Sequence, residues 1–515
     1  MTDQQRWDYL GVMGHPSLET PALDALAARG VTFRRSYCQS PICGASRMCT
    51  YTGRYMTTHG ANWNNFPLSV AEMTIGDHLR PLGVRTALVG KTHMAADAAG
   101  MARLQIDRRS ELGVLVSECG FEPYERDDGL HPTESLNYDL AYNRWLNAKG
   151  YPGANPWHDW ANAAEGPGGE ILSGWQMRHS PLPARVAEEH SETAYMTERA
   201  MAFIREAGDD PWLLHLSYIK PHWPYIAPAP YHALYAANHV PTPNRSLAER
   251  DAPHPVHAAF MAHADSQAFA RDEVRQAVIP AYMGLIRQID DWLGRLFAFL
   301  EERGQMDDTM IVFTSDHGDY LGDHWLGEKE MLHEESVRVP LIVYDPDGRA
   351  DATRGRIDDR LTESIDLAAT FLAAYGGEDP GQWLEGRSLL PLIRDGGAAA
   401  DWRETVVSET DFAMRDAAKR LGLKPNEARG YMIAGERWKY VLWEKYPPQL
   451  FDLLEDPAEQ RDLAGQGLAA ERDLHERLFQ HFRMRRTRTT ISDETIAARA
   501  GKASQLKRGF RIGEW

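Results

Sequence analysis

Cysteine is scarce: Cys38, Cys43, Cys49 and Cys119 are the four in 515 residues. A chain this long buries enough surface to need no covalent staples, so it is no disulfide scaffold, and a reducing compartment is the simpler reading. No apolar run approaches the ~20 residues that cross a bilayer, which argues against membrane insertion. Basic charge is outweighed, 56 Lys and Arg against 74 Asp and Glu for a formal net charge of −18. Neither nucleic acid nor an anionic lipid surface is therefore an expected partner. Nothing at the amino terminus resembles a signal peptide, and the expected location is cytoplasmic. Also missing is an apolar strand ahead of the first acidic residue: the chain opens "MTDQQRWDYLG", which raises the expectation that the natural start lies upstream of Met1.

What is present is a β/α alternation. Apolar, β-rich runs at 31–37, 84–90, 211–218, 309–316 and 339–345 are interleaved with amphipathic helical stretches at 22–29, 71–82, 191–206, 272–303 and 362–375. This order predicts an α/β fold with a large, mostly parallel sheet flanked by helices, whose ligands collect at the carboxyl ends of strands. Residues 94–190, rich in Gly, Pro and Trp with weak periodicity, read as insertions shaping a pocket. Beyond "GRSLLPLIRDGG" the pattern shifts to shorter strand-like pieces. The expected organisation is a catalytic domain at 1–395, a small α+β domain with an antiparallel sheet at 396–480 and an arm at 481–515. That arm carries nine Lys or Arg against three acids and ends "GFRIGEW", apolar residues that suit packing on a second subunit, hence a homo-oligomer, dimer or tetramer.

Three thiols crowd "CQSPICGASRMCTYTGRY" (38–55). A Cys-x4-Cys-x5-Cys spacing without a second ligand pair disfavours zinc, and a disulfide would be unusual in a reducing compartment; a nucleophile remains. Only Cys43 fits C-x-x-x-R-x-x-x-x-T-G-R, through Arg47 and Thr52-Gly53-Arg54. The stretch resembles the core motif of the type I sulfatases and the related phosphonate monoester hydrolases of the alkaline phosphatase superfamily, with Ala45 where proline is commonest. The resemblance implies that Cys43 is oxidised to formylglycine by a maturation enzyme. One hydroxyl of the aldehyde hydrate would attack sulfur, and the other, once deprotonated, would expel sulfate by carbon–oxygen cleavage. Arg47, one helical turn on, would hydrogen-bond the hydrate, and a helix starting near residue 44 would favour an anion there.

"TSDHGDYLGDHWLGEKEMLHEES" carries a second resemblance, in which Asp316 and His317 bind one divalent cation and Lys329 keeps the K-x-x-x-x-E spacing to Glu334. The other half of that metal site matches Asp3 and Gln4, with Cys43 at its edge. Oxygen ligands suit calcium, magnesium or manganese. Lys91 and His93 match a sulfatase G-K-x-H pattern, Lys220 and His222 the segment at the leaving-group oxygen, and Asn64 an asparagine of the phosphonate hydrolase pocket. Implied roles are a base for His93, an acid or hydrogen-bond donor for His222, and oxyanion clamps for Lys91 and Lys329, with Lys220 and Asn64 binding substrate. Lys91 and His93 favour small sulfate monoesters, arylsulfatase-like, with promiscuity toward phosphonate monoesters and phosphodiesters. Phosphonate monoester hydrolysis as the main activity is the alternative, and an inactive anion-binding homologue a weaker one.

Overall fold

The computed structural model describes residues 1–129, 140–378, 381–399, 401–486 and 488–500. The principal strands are β1 (Val31–Phe33), β2 (Arg85–Gly90), β3 (Glu122–Arg126), β4 (Trp212–Ser217), β5 (Ile311–Thr314), β6 (Leu341–Tyr344) and β7 (Arg356–Asp358). β3, β2 and β4 form one parallel sheet, and β5, β6, β1 and β7 a second, mixed one in which β6 runs antiparallel to both neighbours.

Residues Met1–Asp3 lie between the two sheets. Thr2 bridges Ser315 and Asp3 bridges Pro221, both parallel. Thr2 N donates to Thr314 O at 2.9 Å and Tyr218 N to Met1 O at 3.0 Å. This short segment joins β4 to β5, so the two sheets act as one surface and Asp3 is delivered to their carboxyl ends.

Helices cover the sheet. α1 (Pro21–Arg29), α3 (Glu192–Ala207) and α4 (Asp272–Glu302) pack on one side. α4 shows the helical period plainly: Ile289, Leu293, Leu296 and Leu300 recur on one stripe and enter a core with Leu23, Leu26, Phe203, Phe313 and Ile342. Asp290 on that helix accepts from Ala22 N and Leu23 N at 3.0 and 2.8 Å, satisfying α1 amides that Thr20 leaves uncapped. α2 (Cys43–Thr52) is buried on every face, and α5 (Asp366–Ala374) packs beside it.

β8 (Val406–Asp411), β9 (Arg429–Ala434), β10 (Trp438–Trp443) and β11 (Gln449–Asp452) make an antiparallel sheet in chain order. α6 (Ala469–Arg483) lays Leu474 and Leu478 against Tyr431, Ile433 and Tyr440. Lys439, fully buried, ties this sheet to the larger one through Glu334 and Glu459, each at 2.8 Å. The beginning of the arm is anchored: Arg485 pairs with Glu409, and Arg54 Nη2 donates to Arg486 O at 3.2 Å. "GFRIGEW" lies outside the described residues.

Three local expectations change. The run 31–37 is two strands, broken at Arg34–Arg35. The stretch 362–375 begins as a short strand, Thr362–Glu363, and turns helical only at Asp366. Glu122–Arg126, inside the presumed insertion, is an edge strand of the parallel sheet; its Pro123 and alternate charged side chains suit an edge and hide the apolar period.

Candidate active site

Five segments converge at the carboxyl ends of β2, β4 and β5. They are Met1–Gln4, the amino end of α2, the loops after β2 and β4, and the stretch from Ser315 to Lys329. Donor atoms of Asp3, Cys43, Asp316 and His317 all lie within 4.8 Å of one another, and all four residues are buried. His317 donates Nδ1–H to Gly318 O at 2.9 Å and turns Nε2 toward the cluster, 3.1 Å from Cys43 Sγ; burial would push this imidazole down, yet Asp316 and Cys43 hold it above its ordinary value. Two carboxylates, a cysteine sulfur and an imidazole nitrogen in a closed space make a donor set that fits a divalent cation, which would displace the Nε2 proton.

Arg47 builds this arrangement. Its guanidinium, fully buried, donates Nη2 to Asp3 at 2.9 Å, Nε to Asp316 at 3.0 Å, and Nη1 to Ser217 Oγ at 2.7 Å and Lys91 O at 3.0 Å. Its hydrogen bonds therefore go to the carboxylates and their supports, while Cys43 is reached by other cations. Lys91 Nζ sits 2.6 Å from Asp3. Burial and Cys43 would push the Asp3 carboxyl up, yet the Lys91 ammonium and the Arg47 guanidinium hold it below the usual carboxylate range. Asp316 moves the other way, raised by burial and by Asp3.

Lys329 Nζ lies 3.2 Å from Cys43 Sγ, 2.7 Å from Gln4 Oε1 and 3.3 Å from His222 Nε2. His222 donates Nδ1–H to Trp223 O at 2.7 Å, so its Nε2 accepts from Lys329. Burial and then Lys329 push this imidazole down to about 4, leaving it neutral near pH 7 with the proton on Lys329. The four thiols, all free and buried, separate here. Burial pushes Cys38, Cys49 and Cys119 up. At Cys43 the same burial is outweighed by Lys329, Lys91 and His317, which hold the thiol well below its ordinary value.

The structure thus brings together Asp3, Gln4, Cys43, Arg47, Lys91, His222, Asp316, His317 and Lys329. Asn64 is adjacent: its Oδ1 accepts from Gly44 N at 2.8 Å, so the first helical N–H beside Cys43 is already taken. A Cβ on Gly44 would meet Asn64 at 3.1 Å, which explains glycine there. His93 sits half-buried at φ 55° with its backbone N held by Asp128 at 2.8 Å and a buried Nδ1 that has no hydrogen-bond partner among the described residues. Lys220 points elsewhere, to Asn162 at 2.6 Å and Pro224 O at 2.8 Å, and burial pushes it down to about 8. Glu334 serves Lys439 and the antiparallel sheet.

Sequence reasoning missed Ser217, Asp128 and Asp319. Ser217 holds Arg47; Asp128 accepts from the backbone of Thr92 and His93, fixing the loop after β2. Asp319 accepts from the Gln4 amide. Only Asp319 left a signal, as the next acid after the Asp316-His317 pair.

Comparison with known proteins agrees with this geometry. A profile of the Sulfatase family matches residues 1–377, and one described as "N-sulphoglucosamine sulphohydrolase, C-terminal" matches 322–485. The multifunctional alkaline phosphatase superfamily protein PehA of Trinickia caryophylli is 34% identical, with 90% of each chain covered. An arylsulfatase of Clostridium perfringens is 25% identical over 90% of this chain and 89% of its own. The solved phosphonate monoester hydrolase SpPMH of Silicibacter pomeroyi superposes with a TM-score of 0.82 at 28% identity, covering 99% of this chain and 98% of its own. With a family profile spanning most of its length and its site residues gathered at the carboxyl ends of the strands, this chain belongs to the sulfatase family of hydrolases in the alkaline phosphatase superfamily.

Proposed function

We propose that the chain hydrolyses small sulfate monoesters, aryl sulfates among them, through a formylglycine made from Cys43 and one divalent cation, calcium, manganese or magnesium. The observation that carries this reading is the ring of donors around Cys43 Sγ: His317 at 3.1 Å and Lys329 at 3.2 Å, with Lys91 behind Asp3. The sulfur stands in for the oxygens of the aldehyde hydrate, which would supply both the attacking hydroxyl and the means of releasing sulfate. A divalent ion held by Asp3, Asp316, His317 and Cys43 would neutralise an ester oxygen and lower the pKa of the nucleophile.

Protein groups do the rest. Arg47 holds Asp3 and Asp316 side by side; because His222 Nε2 accepts from Lys329, Lys329 rather than His222 would carry the proton for the leaving oxygen, beside its role as an oxyanion clamp, and His93 would take the hydrate proton. Cys43 is 1% exposed, so a maturation enzyme would have to act before folding closes the site. The described part of the arm includes helix Asp493–Arg499, which buries no residue, in keeping with a surface for a second copy.

A sulfate monoester offers three nonbridging oxygens, whereas a phosphonate monoester offers two and a carbon substituent. The extra donors at Lys91 and His93 suit the former. Likeness to PehA and to phosphonate monoester hydrolases supports the second reading, in which phosphonate esters are the main substrate. Parallel kcat/KM values on 4-nitrophenyl sulfate and 4-nitrophenyl phenylphosphonate decide between them, with the sulfate expected to be faster. Cys43→Ala is expected to fold and to lose at least ~10⁴-fold in turnover; mass spectrometry of the peptide spanning 38–54 should find the aldehyde in active protein, and unconverted thiol in fully active protein would rule the mechanism out.

A further inference from the structure

We propose that Asp319 is a positioning residue that fixes which end of the Gln4 amide faces Lys329, the ammonium beside Cys43. Gln4 and Asp319 are both fully buried, and Tyr225 beside them is 1% exposed. Gln4 Nε2 donates to Asp319 Oδ2 at 2.6 Å, and Tyr225 OH donates to the same oxygen at 2.7 Å. Asp319 Oδ1 is held in turn by Leu321 N at 3.0 Å. A carboxylate oxygen that receives two donors admits only the NH₂ end of the amide. The carbonyl end, Oε1, is thereby aimed at Lys329 Nζ, 2.7 Å away.

A half-turn of the amide would place oxygen against carboxylate and NH₂ against ammonium, two repulsions in place of two attractions. The backbone of Gln4 cannot absorb such a change. It is held at φ 63°, its N–H bonds Asp316 Oδ1 at 2.9 Å, and its carbonyl accepts from Tyr282 OH at 2.8 Å. Asp319 therefore decides whether an oxygen or two hydrogens meet Lys329, which lies 3.2 Å from Cys43 Sγ at the edge of the cation site, without itself lying in the cluster of Asp3, Cys43, Asp316 and His317.

The inference rests on the cation-site reading above, and Mn²⁺ affinity of the full-length protein, stripped by chelator and followed by calorimetry, separates the two. Asp319→Asn offers the Gln4 amide both a donor and an acceptor and is expected to weaken Mn²⁺ binding ~10- to 100-fold, with a melting temperature of the stripped protein close to that of the parent. Adding Gln4→Glu restores a donor–acceptor match, the introduced amide donating to the introduced carboxylate, and leaves an oxygen facing Lys329 whichever way that carboxylate turns. The double variant should recover Mn²⁺ affinity by more than Gln4→Glu alone raises that of the parent, a coupling between the two positions that a merely structural role for Asp319 does not predict. If Asp319→Asn alone does not fold, folding and Mn²⁺ binding by the double variant support the proposal and its failure overturns it. Unchanged affinity in Asp319→Asn overturns the positioning role alone; a parent protein that binds no Mn²⁺ overturns the cation site as well.

Discussion

β4 and β5 end in two unlike places. At their carboxyl ends, Asp3, Arg47, Asp316, His317 and Lys329 are buried and matched charge to charge. At their amino ends the same strands face each other across a cleft of about 810 Å³ lined by Trp212, Leu213, Leu214, Leu216, Ile311 and Val312, with Met1 at one end. The strands are edges of their respective sheets there, and these apolar side chains are only half-buried. One region is held by mutual compensation among ions, the other by apolar area. The first fails by losing one partner; the second fails gradually.

The largest effect expected from that difference is at Arg47. Arg47→Ala leaves two carboxylates, Asp3 and Asp316, facing each other without their shared cation, and a buried charge without its partner costs ~3–5 kcal/mol. Urea denaturation of metal-free protein should show that loss, and saturating Mn²⁺ should return part of it by binding the native state alone. A loss under about 1 kcal/mol, the range of an exposed ion pair, would mean that the charged end is not held by compensation.

His324, on the loop that carries Lys329, gives a pH-dependent version. It sits 2.5 Å from Glu249 and 3.4 Å from Glu335, stacked on His333 at 4.0 Å. Burial alone would push its pKa down, but Glu335 and Glu249 hold it well above 6.5. Below about pH 6.5, the ordinary value, folded and unfolded chains are both protonated and the contribution is complete. As pH rises past that value the unfolded chain gives up its proton first, so stability falls as pH moves up through the folded pKa. His324→Gln should cost ~2–3 kcal/mol at about pH 6 and flatten the decline in chemical stability above about pH 6.5. An unaltered pH profile would show the imidazolium uncoupled from its carboxylates.

Legibility in the sequence follows the same divide. Strand β2, buried and paired in parallel on both sides, announces itself as a continuous apolar run; the edge strands β4 and β5 are also apolar runs because each turns side chains to the cleft or the core, and the loops that follow the three carry Lys91, His222, Asp316 and His317. Support at the charged end does not show: Ser217, Asp128 and Asp319 act through bonds to residues far away in the chain, which leave no local period. Lys220, joined to Pro221 by a cis peptide and two residues from His222, has the spacing of a ligand, but folding turns its ammonium to Asn162. Arg47 was legible as a site residue by its distance from Cys43, while its partners, Asp3 and Asp316, lie at the chain start and beyond β5.

The smallest effect is a contrast between neighbouring strands. β2 and β4 pair in parallel, with Ala87 opposite Leu214 and Leu88 opposite His215. Leu88 is fully buried, whereas Leu214 lines the cleft and is half-buried. Leu88→Ala should cost ~2–5 kcal/mol, because lost transfer energy is joined by a cavity its neighbours cannot close. Leu214→Ala removes the same atoms from a wall that is already open, so only part of the transfer term is lost, about 1 kcal/mol. Midpoints of urea denaturation at a common m-value measure both. Equal costs at the two positions would mean that Leu214 is covered in solution and that the cleft is closed by something packed against both edges.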